Sequence, residues 1–213
     1  MAEHKGWWDA YSDLGINPLI ALEVEASQIS SYEQSVIPWM FQTEDYACAV
    51  IREILPDISD RVLKERVSAR LKRQKLLTRE NSPTFWSVVD ESALHRRVGN
   101  DQVRRDQLQK MVAVAQQVRS ITLQVVPLSR GAHPALDSPF TLLEFELPRP
   151  TVVYQETLAG ALYLDRPSEV DKYRDAWKRL YSGALDPGSS VRLIADVGTG
   201  DFTASGATAY YGS

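Results

Sequence analysis

The stretch Thr84-Phe85-Trp86-Ser87-Val88-Val89-Asp90 is rich in β-branched and aromatic residues and follows a proline, a composition typical of a β-strand. Apolar residues recur at helical spacing over 102–118, and alternation typical of a strand returns over 121–128. A strand, a helix and a strand in this order form a right-handed crossover between two parallel strands. This unit therefore predicts the parallel part of a sheet.

The segments on either side of this unit predict further helices and strands. We expect strands over 140–146, 151–156 and 161–164, paired antiparallel because their links are short. Helices are predicted over 19–27, from Thr43 to the proline at 56, over 59–77, over 165–182 and over 189–195. The predicted class is α+β: N-terminal helices packed on a mixed sheet of about four to five strands, with a βαβ crossover and C-terminal helices.

Several local signals refine this picture. Residues 29–41 alternate and end at Ile37-Pro38, where the residue before proline disfavours helix, so we predict an extended segment. Thr43 and Ser59 are suitable N-caps for the helices that follow them. We expect a single domain over 1–196 and a flexible tail over 197–213, which is rich in Gly, Ser, Thr and Ala.

The composition argues against several classes of function. The net charge of −4 argues against a nucleic-acid-binding chain that is basic overall. The single cysteine and the scattered histidines predict neither a disulfide nor a metal site, and no cofactor is expected. No apolar run is long enough for a membrane span, and the charged N-terminus is no secretory signal, so a cytoplasmic protein is expected.

Signatures of catalysis are also missing, and we predict no catalytic residue. The sequence has neither a Gly-x-Ser-x-Gly elbow nor a Walker loop, and Gly198-Thr199-Gly200 follows no strand–helix turn. His133, in the loop 131–134, is either a general base or a surface loop residue, and we favour the second interpretation. Cys48 is predicted to be a small core residue.

Ten short segments carry a resemblance to a known family through their order and spacing. They are 7–8, 22–26, 32–46, 70–74, 90–94, 126–127, 131–134, 139–140, 154–156 and 173–174. Together they resemble the C-terminal domain of actinobacterial XRE-type helix-turn-helix transcription regulators, an antitoxin-like family of largely unknown biochemistry. The resemblance covers about residues 7–195.

The resemblance implies an effector- or partner-binding regulatory domain. The implied partner is a small regulatory or toxin-like protein, or a small-molecule effector. In that family a DNA-binding domain comes first, but few residues precede Trp7 here, so we expect no direct sequence-specific DNA binding and no membrane partner. The alternative is a stand-alone small-molecule-binding protein or a biosynthetic enzyme, and both enzymatic activity and homodimer formation stay open.

A departure from the family pattern directs attention to Trp39. The usual Pro-Gly-Leu-Leu-Gln-Thr reads here Pro38-Trp39-Met40-Phe41-Gln42-Thr43. The indole either fills a groove that relatives keep open or stands at its edge as an apolar anchor. A second aromatic group, Trp7, Trp8 and Tyr11, either closes an N-terminal arm over the body or forms a docking patch.

Charged residues that match the family pattern predict a polar network. Basic residues crowd 61–79, which favours either phosphate contacts or a solvated helix face. Arg70 and Arg73 are expected to pair with Glu91 and Glu156, either as a structural tie or as the polar floor of a site. The candidate ligand- or partner-binding residues are Trp39, Phe41, Gln42, Thr43, Tyr46, Arg70, Arg73, Gln74, Glu91, Tyr154 and Glu156.

Overall fold

The computed structural model of the protein describes residues 17–157 and 159–200. The helices of this part are α1 (Asn17–Glu25), α2 (Glu44–Ile54), α3 (Asp60–Gln74), α4 (Glu91–His95), α5 (Asp101–Gln117), α6 (Pro167–Ser182) and α7 (Pro187–Thr199). Its strands are β1 (Gln28–Glu33), β2 (Thr84–Asp90), β3 (Ile121–Val126), β4 (Phe140–Glu144), β5 (Val152–Thr157) and β6 (Gly160–Leu164). The predictions for the aromatic residues at 7, 8 and 11, and for most of the C-terminal tail, lie outside the described residues.

The strands form one mixed sheet in the order β3-β2-β1-β4-β5-β6. β2 and β3 are parallel and are joined through α4 and α5, which confirms the predicted parallel pair and the helix between its strands. β4, β5 and β6 are antiparallel neighbours, also as predicted. The α+β class is confirmed, but the expected four to five strands are corrected to six in the described part of the chain.

The strand that the prediction did not count is β1, which lies inside the sheet between β2 and β4. It pairs in parallel with β2 and antiparallel with β4. Its sequence, Gln-Ile-Ser-Ser-Tyr-Glu, hides this position because central strands are usually apolar. The buried hydroxyl of Ser31 is satisfied by Ser87 on β2, with 3.3 Å between the two oxygens. The extended prediction for 29–41 is wrong in its second half, because Pro38 begins a 3-10 turn over Trp39–Phe41.

Helices cover both faces of the sheet. On one face Ile29, Phe85 and Leu143 pack with residues of α1, α2, α5 and α7. On the other face Tyr32 and Val88 pack with residues of α6. The alternation of side chains along each strand produces these two cores. The first face is called the inner face below.

Local signals set the starts of α2 and α3 where the sequence predicted them. The side chain of Thr43 accepts a hydrogen bond from the Tyr46 amide at the start of α2, and Ser59 accepts one from the Val62 amide at the start of α3. Both predicted caps are confirmed. At the other end of the chain, α7 continues to Thr199, past the predicted domain boundary at 196. Among the described residues, no helix combines the length and the apolar character that a membrane crossing requires.

The outer edge of β3 is closed by the link between α6 and α7 and by the first turn of α7. The Val125 amide donates to the Ser190 hydroxyl at 2.9 Å, and the Leu185 amide donates to the Val125 carbonyl at 2.9 Å. Ser190 is fully buried, and water cannot reach the Val125 amide there. The Ser190 hydroxyl therefore provides the hydrogen-bond acceptor that a neighbouring strand would otherwise supply.

Replacing Ser190 by alanine should therefore lower the free energy of unfolding by about 1 to 3 kcal/mol, because it leaves a buried amide without an acceptor. Urea denaturation measures this loss. The matched control is Ser182→Ala, at an exposed hydroxyl, where a change within about 0.5 kcal/mol is expected. Equal stability of both variants would show that the Ser190 hydroxyl is not needed to close the edge.

Candidate functional site

Three arginines of α3 line a cleft at one end of the inner face. Arg66, Arg70 and Arg73 are spaced four and three residues apart, which places them on one side of the helix. The cleft has a volume of about 90 Å³, and we call it the arginine cleft. It is lined by Ile51, Ile54, Leu55, Arg66, Arg70, Arg73 and Glu156.

Arg73 forms the most buried ion pair of the site, with Glu23 of α1. The Nε and Nη2 atoms of the guanidinium donate to the two carboxylate oxygens at 3.0 and 2.7 Å. Burial raises the pKa of Glu23, although the charge and hydrogen bonds of Arg73 oppose this shift. The guanidinium also stacks 3.5 Å from the centre of the Trp39 ring. Arg73 is therefore held on two sides.

The predicted partners of Arg73 are corrected by this geometry. Glu91 begins α4, and its carboxylate accepts a hydrogen bond from the Leu128 amide at 2.8 Å and lies 3.3 Å from Nε2 of His95. It therefore belongs to a different part of the molecule. Glu156 does line the cleft with Arg73, but Glu23 provides the bidentate contact.

Gln42 connects the 3-10 turn to α3 and is itself buried. Its amide nitrogen donates to the Ile37 carbonyl at 2.6 Å, and its Oε1 accepts from Nη1 of Arg70 at 2.7 Å. Its backbone carbonyl accepts from Gln74 and Lys110, each at 2.7 Å. Gln42 thus fixes the position of Arg70 from beneath the cleft.

Gln74 and Lys110 extend this polar layer. The Gln74 side chain donates to the carbonyls of Trp39 and Gln42 and accepts from the Lys110 ammonium at 2.7 Å. Burial lowers the pKa of Lys110. Gln74 therefore holds the turn against α3 and does not line the cleft.

Phe41, Thr43 and Tyr46 hold the turn and α2 in place. Phe41 is fully buried against Phe85, and Thr43 caps α2. The Tyr46 hydroxyl accepts a hydrogen bond from the Ile37 amide at 3.1 Å. These predicted site residues support the cleft from behind without lining it.

Glu33 on β1 and Glu156 on β5 lie at the same level of the sheet. Ser31 pairs with Thr141, and Thr141 pairs with Tyr154, so Glu33 and Glu156 stand level two residues further along their strands. Both side chains project from the inner face. Tyr154 lies beside them, and its ring centre is 5.2 Å from that of Tyr163 on β6.

Burial and neighbouring charges shift the titration of this group. Burial and the charge of Glu156 raise the pKa of Glu33 to about 8, whereas Arg70 opposes the shift. Burial and the charge of Arg73 lower the pKa of Arg70 to about 10. Burial and Glu156 raise the pKa of Tyr154. Burial thus disfavours the charged forms of both Glu33 and Arg70, whereas their opposite charges favour them.

Comparison with known proteins identifies the family. A family model described as "Domain of unknown function (DUF5753)" matches residues 16–196. The chain belongs to this family. No curated protein and no solved structure matches the chain.

A second polar cluster of this DUF5753 domain lies on the other face of the sheet. Nε2 of His133 is 3.3 Å from the Tyr32 hydroxyl and 3.5 Å from Oδ2 of Asp90, and its Nδ1 has no hydrogen-bond partner. The His133 side chain is only 1% exposed, so the prediction of a surface residue is wrong. A buried ring that no substrate can reach does not favour general base catalysis either.

Sequence reasoning missed Glu23, Glu33 and Arg66, which lie at or near the arginine cleft. Glu23 and Glu33 fall within the segments 22–26 and 32–46 that carried the family resemblance, so a signal was present. It could not be read as a contact, because Glu23 lies 50 residues from its partner Arg73. Among the described residues, no group of histidine, cysteine, aspartate or glutamate side chains could hold a metal ion.

Proposed function

We propose that the chain is an effector- or partner-binding regulatory domain that binds its ligand at the arginine cleft. The proposal includes the relationship to antitoxin-like XRE-type helix-turn-helix regulators and the cytoplasmic location that such regulators imply. The main support for this proposal is that Arg66, Arg70 and Arg73 converge on one open cleft. Membership of the DUF5753 family is compatible with this role.

The surroundings of the cleft favour a ligand-binding role over a purely structural ion-pair network. Ile54 is 60% exposed and Leu55 is 37% exposed at its mouth, beside the arginine side chains. Sites for small ligands usually combine apolar walls with a few convergent polar groups. A network that only stabilises the fold would not require apolar residues at its opening to solvent.

Retention of molecules from a bacterial lysate tests the proposal. Ile54→Glu introduces a carboxylate at the mouth of the cleft and should reduce the retained ligand or partner at least tenfold. Leu147→Glu makes the same change at a residue that is 93% exposed and does not line the cleft. Mass spectrometry of the material that co-purifies with each chain provides the measurement.

Wild-type protein and Leu147→Glu should retain the same molecules, and Ile54→Glu should lose them. An identical set in all three chains, or no specific molecule with wild type, would contradict binding at the cleft.

A further inference from the structure

The two outer edges of the sheet differ in how they are covered. The edge of β3 is closed by the link between α6 and α7 and by the first turn of α7. β6 lies at the opposite edge, and β5 is its only strand neighbour among the described residues. Four of the five residues of β6 are exposed. The backbone groups of β6 that point away from β5 can therefore pair with a further strand.

The sequence of β6 does not protect this edge against pairing. Protected edge strands usually carry a lysine, a proline or an inward-pointing charge. β6 reads Gly-Ala-Leu-Tyr-Leu over 160–164 and contains none of these. Leu162 is 46% exposed and Tyr163 is 37% exposed, so a large exposed side chain lies on each face of the edge. Such a strand favours the addition of another strand.

We infer that β6 pairs antiparallel with β6 of a second copy of the chain, around a two-fold axis that passes between the two Leu162 residues. In this register Ala161 lies opposite Tyr163 of the second copy, and Gly160 lies opposite Leu164. A small residue thus faces each large one except at the axis, where the two leucines pack on each other. The inference is independent of ligand binding at the arginine cleft.

The charges beside the strand are compatible with this pairing. Asp165 and Arg166 follow β6, and the two-fold axis places them beside the turn between β5 and β6 of the second copy. That turn contains no charged residue. Like charges of the two copies therefore do not meet along the paired strands.

The covered edge of β3 limits this assembly to two copies. A two-fold pair uses β6 of both chains, so only the two β3 edges remain at the ends of the joined sheet. Five residues per copy form an interface smaller than the standard size of about 1,200–2,000 Å². The dimer should therefore be weak, with a Kd on the order of 100 µM.

Sedimentation equilibrium of the full chain, from about 10 µM to about 1 mM, tests the inference. The average mass of wild type should rise from the 23.9 kDa of one chain towards twice that value. Leu162→Lys should weaken self-association at least tenfold, because it places two ammonium groups opposite each other at the axis. Leu128→Lys, at a residue that is 58% exposed and follows β3 at the opposite edge, should leave self-association unchanged.

A mixture of two charge variants tests the register. Leu162→Glu should also weaken self-association, but an equimolar mixture with Leu162→Lys should associate at least tenfold more tightly than either variant alone. Circular dichroism shows that each variant is folded. Hydrogen exchange needs no variant, since the amides of β6 in wild type should exchange more slowly at 1 mM than at 10 µM.

Several results would overturn the inference. Wild type that stays monomeric at 1 mM would exclude self-pairing and leave the edge to a strand of another protein. A dimer that Leu162→Lys leaves intact would show that the copies meet elsewhere. A mixture of folded charge variants that associates no better than each alone, or β6 exchange rates that do not depend on concentration, would also contradict the two-fold register.

Discussion

Replacing Arg73 by methionine is expected to lower the free energy of unfolding by about 3 to 5 kcal/mol, because it leaves the Glu23 carboxylate buried without its partner. Glu23 is only 1% exposed, and both of its oxygens accept hydrogen bonds from Arg73. The Trp39 ring loses its contact with the guanidinium as well. Urea denaturation at pH 7 measures the effect, with Lys72→Met as the exposed control on the same helix.

The loss should shrink as pH falls. Burial already raises the pKa of Glu23, and removal of the Arg73 charge raises it further. A carboxyl group with a raised pKa in the folded state binds a proton on folding, so stability is recovered at low pH and lost as pH rises. The difference between Arg73→Met and wild type should thus be smaller at pH 5 than at pH 8. A loss equal to that of Lys72→Met at both pH values would show that the ion pair does not stabilise the fold.

Local patterns predicted the elements of the fold well because short-range physics determines them. The period of the apolar residues marked the unit from β2 to β3, and the hydroxyls of Thr43 and Ser59 marked two helix starts. The alternation over 29–41 predicted an extended segment that includes most of β1, but only pairing with β2 and β4 makes β1 a central strand. Burial on both faces comes from its neighbours and not from its own sequence.

The site was harder to predict because its contacts are long-range. The sequence indicated that Arg70 and Arg73 need carboxylate partners, but spacing could not choose among Glu23, Glu91 and Glu156. That choice depends on how α1 packs over the sheet, which brings Glu23 to Arg73 and leaves Glu91 at the start of α4. The raised pKa of Glu33 has the same origin, since burial and the neighbouring Glu156 arise only in the folded chain.

A substitution at Phe41 tests whether this residue supports the cleft or contacts a ligand. Its side chain is fully buried and its ring centre lies 5.8 Å from that of Phe85 on β2. Phe41→Ala removes a core ring and should lower the free energy of unfolding by about 3 to 5 kcal/mol. Chemical denaturation measures this loss, and Phe145→Ala, at a half-buried ring against the same core, should lose less.

The folded fraction of Phe41→Ala should still retain the molecules that wild type retains from a lysate, to within about threefold in amount, because Phe41 supports the 3-10 turn and does not line the cleft. That margin corresponds to less than about 1 kcal/mol, well below the expected loss of stability. A variant as stable as wild type that fails to bind would reverse this assignment. Phe41 would then be a ligand contact, as the sequence first suggested, and the turn from Trp39 to Phe41 would have to open for binding.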